Sequence, residues 1–266
     1  FHYRMKAKKH LGQHFLTSKK ALSDIIRAGE LDKKDVVLEI GPGKGILTEA
    51  LLRDAKKVIA VEMDTDLIPM LAEKFKSEIQ DDRFTLINSD ILELESSDLK
   101  LDNYKLIANI PYYITGAIIR KFLGEKSKPK KIVLLIQKEV AERICSKNGK
   151  ESLLSLSVKA YGEPKIISRV PRGAFSPAPN VDSAIISISI NTKQLLRTSK
   201  DEEKFFRVLH AGFAHPRKML LGNLSKEYKG DLKALFEKLH LSVKIRSENV
   251  PLTKWIELTQ ALNKDF

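Results

Sequence analysis

The chain has 266 residues, 42% hydrophobic and 30% charged, a balance that suits a globular protein with one sizeable core or two smaller ones. No apolar run reaches the roughly 18 residues of a membrane span, and the single cysteine, Cys145, excludes an internal disulfide and a cysteine-rich metal site. The formal net charge of +13 points to a polyanionic partner.

Six of the basic residues lie among residues 1–20 with no acid, and the start of the chain has no apolar signal-peptide core, so a cytosolic location is expected. Lys6 to Leu16 forms a basic arm, after which Thr17 or Ser18 caps a helix with Ala21, Leu22, Ile25 and Ile26 on one face. Val36, Val37, Leu38 and Ile40 form a short apolar run, as expected of a strand covered on both faces in a parallel sheet. It ends at Gly41, Gly43 and Gly45, alternate residues of a turn that lets backbone approach a ligand with no Cβ between them. A nucleotide-like cofactor suits such a turn; a tight turn without a ligand is the plainer alternative. A dinucleotide fingerprint would place glycine where Ile46 stands, which disfavours an NAD-dependent oxidoreductase.

The next strand, Lys57 to Val61, ends at Glu62, where a carboxylate can accept from both hydroxyls of a ribose. A helix over Asp64 to Phe75 is expected to kink or start late at Pro69. Phe84 to Ile87 forms a third strand leading to Asp90, which can accept from the amine of an adenine. Strands at Tyr104 to Ala108, Ile132 to Ile136, Ile166 to Val170 and Ala184 to Ile190 alternate with helices at Thr115 to Leu123, Glu139 to Cys145 and Ser152 to Tyr161. This is the pattern of an α/β sheet with helices on both faces. From about Gln194 only helical patterns remain, so the expected division is an α/β domain over residues 1–194 and a small all-helical domain over 195–266. Lys126, Lys128, Lys130 and Lys131 cluster around Pro129, and residues 195–266 carry a net +5, 14 basic residues against nine acids, so phosphate contacts are expected from several segments.

Asn109-Ile110-Pro111-Tyr112 follows the fourth strand, where ligands of open α/β sheets bind. The Asn109 side-chain oxygen and the Ile110 carbonyl can accept both hydrogens of an adenine N6, whose lone pair is otherwise delocalised into the ring and poorly nucleophilic. Tyr112 can stack on the base, and Pro111 removes a donor and stiffens the loop. Phe175, in the loop FSPAPNVDS, is placed to cover the other face of an extruded base.

The ordered segments GQHFL, EIGPGKG, Glu62, SDIL, NIPYYIT and FSPAPNVDS resemble the ribosomal RNA small-subunit adenine N6,N6-dimethyltransferase family, kin to the erythromycin-resistance methyltransferases, and the likeness extends to AGFAHPRKMLLGNLS at residues 211–225. The resemblance implies a Rossmann-like class I methyltransferase sheet with S-adenosyl-L-methionine as cofactor and no metal. It places the methionine end of the cofactor at Gly41 and Gly43, the ribose at Glu62 beside Met63, and the adenine at Asp90 and Ile91, with His14, Leu16 and Asn109 completing the set. Asn109, Ile110, Pro111, Tyr112 and Phe175 would receive the adenosine. The implied partner is ribosomal RNA in immature small subunits, contacted by a monomer in the cytoplasm without a membrane. Two residues depart from the family pattern: His14 stands where asparagine is frequent, and His215-Pro216 precedes Arg217-Lys218 where a second arginine is usual. A non-catalytic RNA-binding assembly factor on the same fold remains the alternative from another functional class.

Overall fold

The computed structural model describes residues 8, 11–95, 97–146, 148–190 and 198–262. Arg4, Lys6 and Lys9 of the basic arm lie outside the described residues. The chain divides into two compact units, residues 1–141 with 164–190, and residues 142–163 with 191–266.

In the first unit, β1 (Phe15–Leu16) precedes α1 (Lys19–Gly29), whose first turn is capped by the Ser18 hydroxyl accepting the Ala21 N–H at 3.2 Å. There follow β2 (Val36–Ile40), α2 (Ile46–Asp54) and β3 (Lys57–Glu62). Pro69 delays the next helix as expected: a 3-10 turn at Thr65–Leu67 leads into α3 (Ile68–Lys74), with the proline in its first turn, where the missing N–H removes no helical bond. Then come α4 (Lys76–Gln80), β4 (Phe84–Asn88), β5 (Lys105–Asn109), α5 (Thr115–Gly124) and β6 (Lys131–Gln137). The chain passes to the second unit within α6 (Lys138–Ile144), forms α7 (Leu153–Tyr161), and returns through β7 (Gly162–Val170), β8 (Phe175–Ser176) and β9 (Ser183–Ile190).

The long strands make one seven-stranded sheet in the order β4-β3-β2-β5-β6-β9-β7. The pairs from β4 through to β6 are parallel, and β9 runs antiparallel to β6 from Ser183 opposite Gln137 to Ser189 opposite Lys131. Val37, Ile107, Val133 and Ile185 join a core with Ile25 of α1 and Leu51 of α2. Their strand neighbours Leu38, Leu106, Leu134 and Ile186 point by alternation to the other face and are also fully buried, so helices cover both sides. A second, two-stranded sheet pairs β1 with β8, Leu16 opposite Phe175.

The parallel strands put their carboxyl ends on one edge of the sheet, at the glycine turn. The lysine cluster at 126–131 belongs to the opposite edge, where β6 begins, roughly 20 Å of strand away. Lys131 is buried there and ion-paired with Glu30 at 2.6 Å, and neighbouring Lys105 pairs with Asp35 at 2.7 Å. Of the four lysines of this cluster, Lys131 is thereby taken up by a local ion pair, while Lys126 and Lys130 are exposed. A charged residue at a strand start has the reach to be consumed by a local pair, and charge counting cannot tell such a residue from a free one.

The second unit contains α7, α8 (Ser199–Phe213), α9 (Leu220–Leu224), α10 (Leu232–Lys238) and α11 (Leu252–Ala261). Residues 142–163 therefore pack with the C-terminal helices, α7 against α8 and α11, and the boundary at 194 is corrected to this split. The core of this unit centres on Trp255, fully buried and stacked on Phe213 at 5.5 Å. Gly212 admits that ring: an added Cβ would come within 2.3 Å of it. Among the described residues no helix is long and apolar enough to cross a membrane.

Candidate active site

At the carboxyl edge of the sheet, five segments of the first unit line one cavity: Leu11–Leu16, Glu39–Lys44, Glu62–Met63, Ser89–Ile91 and Asn109–Ile114. His14, Leu16, Gly41, Gly43, Glu62, Met63, Asp90, Ile91, Asn109, Ile110, Pro111 and Tyr112 are thereby brought together.

Gly41 and Gly43 have φ of +65° and +58°, a left-handed backbone that side chains disfavour. A Cβ added at Gly41 would meet nothing within 4 Å, because the position opens on the cavity, whereas one at Gly43 would press on the Phe15 ring at 3.1 Å. Glu62 ends β3 and is 6% exposed; its Oε1 accepts the Asp64 N–H at 2.8 Å and its Oε2 the Gly43 N–H at 3.1 Å. Burial pushes its carboxyl above the usual range, and these two N–H groups pull it partly back. Asp90 Oδ1 accepts the Leu92 N–H at 2.9 Å, holding the turn after β4.

The arm crosses between the walls. Gln13 Nε2 donates to Asp64 Oδ2 at 2.6 Å, and Lys8 Nζ pairs with Asp64 and Asp66, each at 2.6 Å. On the far side the Asn109 Nδ2 donates to the His14 carbonyl at 3.2 Å, and the His14 ring stacks near Tyr112, centroids 5.9 Å apart. The His14 Nδ1 lies 2.8 Å from the Pro177 carbonyl, which can only accept, so Nδ1 carries the proton.

Phe175 does not line the cavity. It pairs with Leu16 and packs in the core, where it is 5% exposed. Sequence reasoning also passed over Glu39, a carboxyl on the cavity wall that is 1% exposed and accepts from the Thr48 hydroxyl at 2.7 Å. Burial, reinforced by the Glu62 charge, pushes it up to about 8 against the pull of Thr48 and Lys74. The signal was there: one acid inside an otherwise apolar strand, VVLEI, has no structural need that an apolar residue would not meet.

Glu39 makes stability pH-dependent with a defined sign. Its folded value of about 8 lies above its ordinary 4.5, so the proton is held more tightly in the folded state. The stabilisation is complete below the ordinary value and is lost as pH rises toward 8. Thermal unfolding of the cofactor-free protein should fall across that window, and Glu39→Gln should flatten the decline, leaving the smaller contribution of Glu62. An unchanged slope in the variant would mean that Glu39 is ionised in the folded protein.

Three carboxyl groups, Glu39, Glu62 and Asp90, thus face a cavity floored by an open glycine turn and walled by Ile40, Val61 and Ile91. Those acceptor oxygens fit a cationic nucleoside with a diol and an amine, the composition of S-adenosyl-L-methionine. A Rossmann-like sheet of parallel strands with β9 antiparallel to β6, and this site at its carboxyl edge, defines an S-adenosylmethionine-dependent methyltransferase.

The chain matches the family model described as ribosomal RNA adenine dimethylase over residues 4–264. It is 44% identical to ribosomal RNA small subunit methyltransferase A of Dehalococcoides mccartyi, over 96% of this chain and 88% of that one. It is 40% identical to the protein of the same name from Fusobacterium nucleatum, over 95% and 96%. Among solved structures, a dimethyladenosine transferase from Plasmodium falciparum superposes with TM-score 0.80 at 27% identity, over 94% of this chain and 98% of that one. The 23S rRNA methyltransferase ErmE gives 0.78 at 25%, over 94% and 100%. The chain belongs to the ribosomal RNA adenine dimethylase family. Its reaction is the S-adenosylmethionine-dependent dimethylation of adenine in small-subunit ribosomal RNA.

Proposed function

We propose that the protein dimethylates N6 of two adjacent adenosines in a hairpin near the 3′ end of small-subunit ribosomal RNA, acting as a cytoplasmic monomer on immature subunits. When bound, the cofactor supplies an electrophilic methyl group on a sulfonium. The chain positions the two reactants. Glu62 holds the ribose, Asp90 the adenine amine, and Gly41 with Gly43 the methionine end.

The observation that carries the reading is the orientation of Asn109. Because its Nδ2 donates to the His14 carbonyl, a group that can only accept, the side-chain oxygen is turned to serve as acceptor at the cavity. That oxygen and the Ile110 carbonyl accept hydrogen bonds from the two N6 hydrogens, localising the nitrogen lone pair toward the methyl; each transfer releases one N6 proton to solvent, and in the second the one remaining hydrogen is held by these acceptors. Pro111 contributes no N–H to compete, and Tyr112 stacks on the base. No covalent enzyme intermediate is required; the rate comes from alignment and from acceptors that are already oriented.

The substrate reading draws support from charge. In the second unit the loop Ala214–Met219 is exposed and presents Arg217 and Lys218. His215, one of the departures from the family pattern, lies with its Nε2 2.9 Å from Lys226 Nζ. Exposed cations on each unit, Arg217 and Lys218 on one and Lys19 and Lys20 on the other, favour a folded RNA over a short single strand as substrate. Under-methylated small subunits should therefore be methylated efficiently and an isolated hairpin poorly. Binding should weaken steeply with salt, and replacing Arg217 and Lys218 by glutamate should reduce the log–log slope by about 0.7 to 0.9 for each phosphate no longer neutralised. Equal rates on hairpin and particle, with an unaltered slope, would refute the extended RNA-binding surface while leaving the chemistry standing.

A further inference from the structure

The segment NIPYY holds two tyrosines side by side, and their surroundings differ. Tyr113 is 65% exposed. Tyr112 is half-buried and its hydroxyl lies 2.6 Å from the Ser183 Oγ, 71 residues away in sequence. Ser183 has no exposed surface and opens β9, where the sheet ladder sets it opposite Gln137. The other end of Tyr112 is also fixed: its carbonyl accepts from the Thr115 hydroxyl at 3.0 Å, inside the 3-10 turn Tyr112–Ile114 that leads into α5. The ring is thus held at its backbone and at its tip, and the His14 ring stacked 5.9 Å away restrains rotation about its long axis.

A stacking platform binds more tightly if its position is set before the base arrives, since every rotamer frozen on binding costs affinity. A tyrosine hydroxyl on a buried edge also needs a partner, and a serine on a rigid strand supplies one whose position cannot drift. The serine closes the segment FSPAPNVDS, whose phenylalanine turns into the core, so the contribution of that segment to the site comes from its other end.

We infer that Ser183 is a positioning residue that anchors the tip of the Tyr112 ring on which the target adenosine stacks, and so fixes where that ring stands beside His14. The inference rests on the proposed role of Tyr112 as that platform, and the two separate experimentally. The probe is a hairpin RNA with 2-aminopurine at the target adenosine, read by fluorescence at saturating protein, together with KM and kcat on under-methylated small subunits and calorimetry with S-adenosylmethionine. Tyr112→Ala should abolish the quenching that stacking causes and raise KM about 5- to 100-fold, the usual range for removal of a base–aromatic stack. Ser183→Ala and Tyr112→Phe remove one hydrogen bond from its two ends while keeping the ring. Each should weaken the quenching and raise KM about 2- to 10-fold with kcat and cofactor affinity little changed, and the double variant should be no worse than either single one, as expected of a shared interaction.

Full quenching and an unaltered KM in Ser183→Ala, with quenching abolished in Tyr112→Ala, would overturn the role of Ser183 alone. Quenching retained in Tyr112→Ala would overturn the platform itself. Multiplying effects in the double variant would show that the two residues act separately and would also overturn the inference. Because Ser183 is fully buried, Tyr112→Phe tests the same bond from its less buried side should the alanine variant fail to fold.

Discussion

Replacing Asn109 by alanine is expected to lower methylation by about two to three orders of magnitude while S-adenosylmethionine binds almost as before, the size of effect seen when one pre-oriented transition-state hydrogen bond is removed. The side chain makes a 3.2 Å bond to the His14 carbonyl, so its loss slackens the arm slightly, but the cavity keeps Glu62, Asp90 and the glycine turn. Asn109→Asp is the sharper companion. It retains an acceptor but cannot donate to the His14 carbonyl, and the two oxygens would repel. If acceptance alone mattered, aspartate would rescue activity; if orientation matters, it should do little better than alanine. Parallel loss of cofactor affinity and turnover in both variants would make Asn109 a structural residue.

Glu62→Ala should weaken S-adenosylmethionine binding about 10- to 100-fold for each ribose hydroxyl bond removed, since hydrogen bonds to a charged group are worth about 1.5 to 3 kcal/mol. Two further effects act in the same direction. The N–H groups of Gly43 and Asp64 lose their acceptor, and Gly43 belongs to the turn that approaches the cofactor. Glu62→Gln is not a mild change, because its amide nitrogen would face one of those two donors. The carboxyl must be ionised to accept from both hydroxyls; burial raises its pKa, so affinity should begin to fall at a higher pH than for an exposed glutamate. Calorimetry showing unchanged affinity for Glu62→Ala would remove this residue from the cofactor site.

Local signals in the sequence carried most of the site and much of the sheet. β2 reads as an apolar run stopped by glycines, and the Asn109 loop lies where β5 ends, so strand-end logic brings Gly41, Glu62, Asp90 and Asn109 to one edge with no knowledge of packing. What stayed hidden depends on long-range pairing. β1 and β8 are two residues each, too short for any periodicity, and only their pairing sends Phe175 inward. The apolar pattern of α7 says that it is covered but not by what; its position between strands suggested the sheet, and it packs with the C-terminal helices instead. Lys131 reads as a free cation until Glu30 is seen beside it. Glu39 was legible as an anomaly, although its exposure to the cavity follows only from the fold.

The most direct test is nucleoside mass spectrometry of RNA from under-methylated small subunits incubated with the protein and S-adenosylmethionine. N6,N6-dimethyladenosine at two adjacent positions near the 3′ end of the small-subunit RNA, absent without the cofactor and nearly absent with Asn109→Ala, is the expected result. Particles that bind the protein yet yield no dimethyladenosine, or methylation confined to another base, would contradict the assignment of this cavity as an adenine N6 dimethyltransferase site.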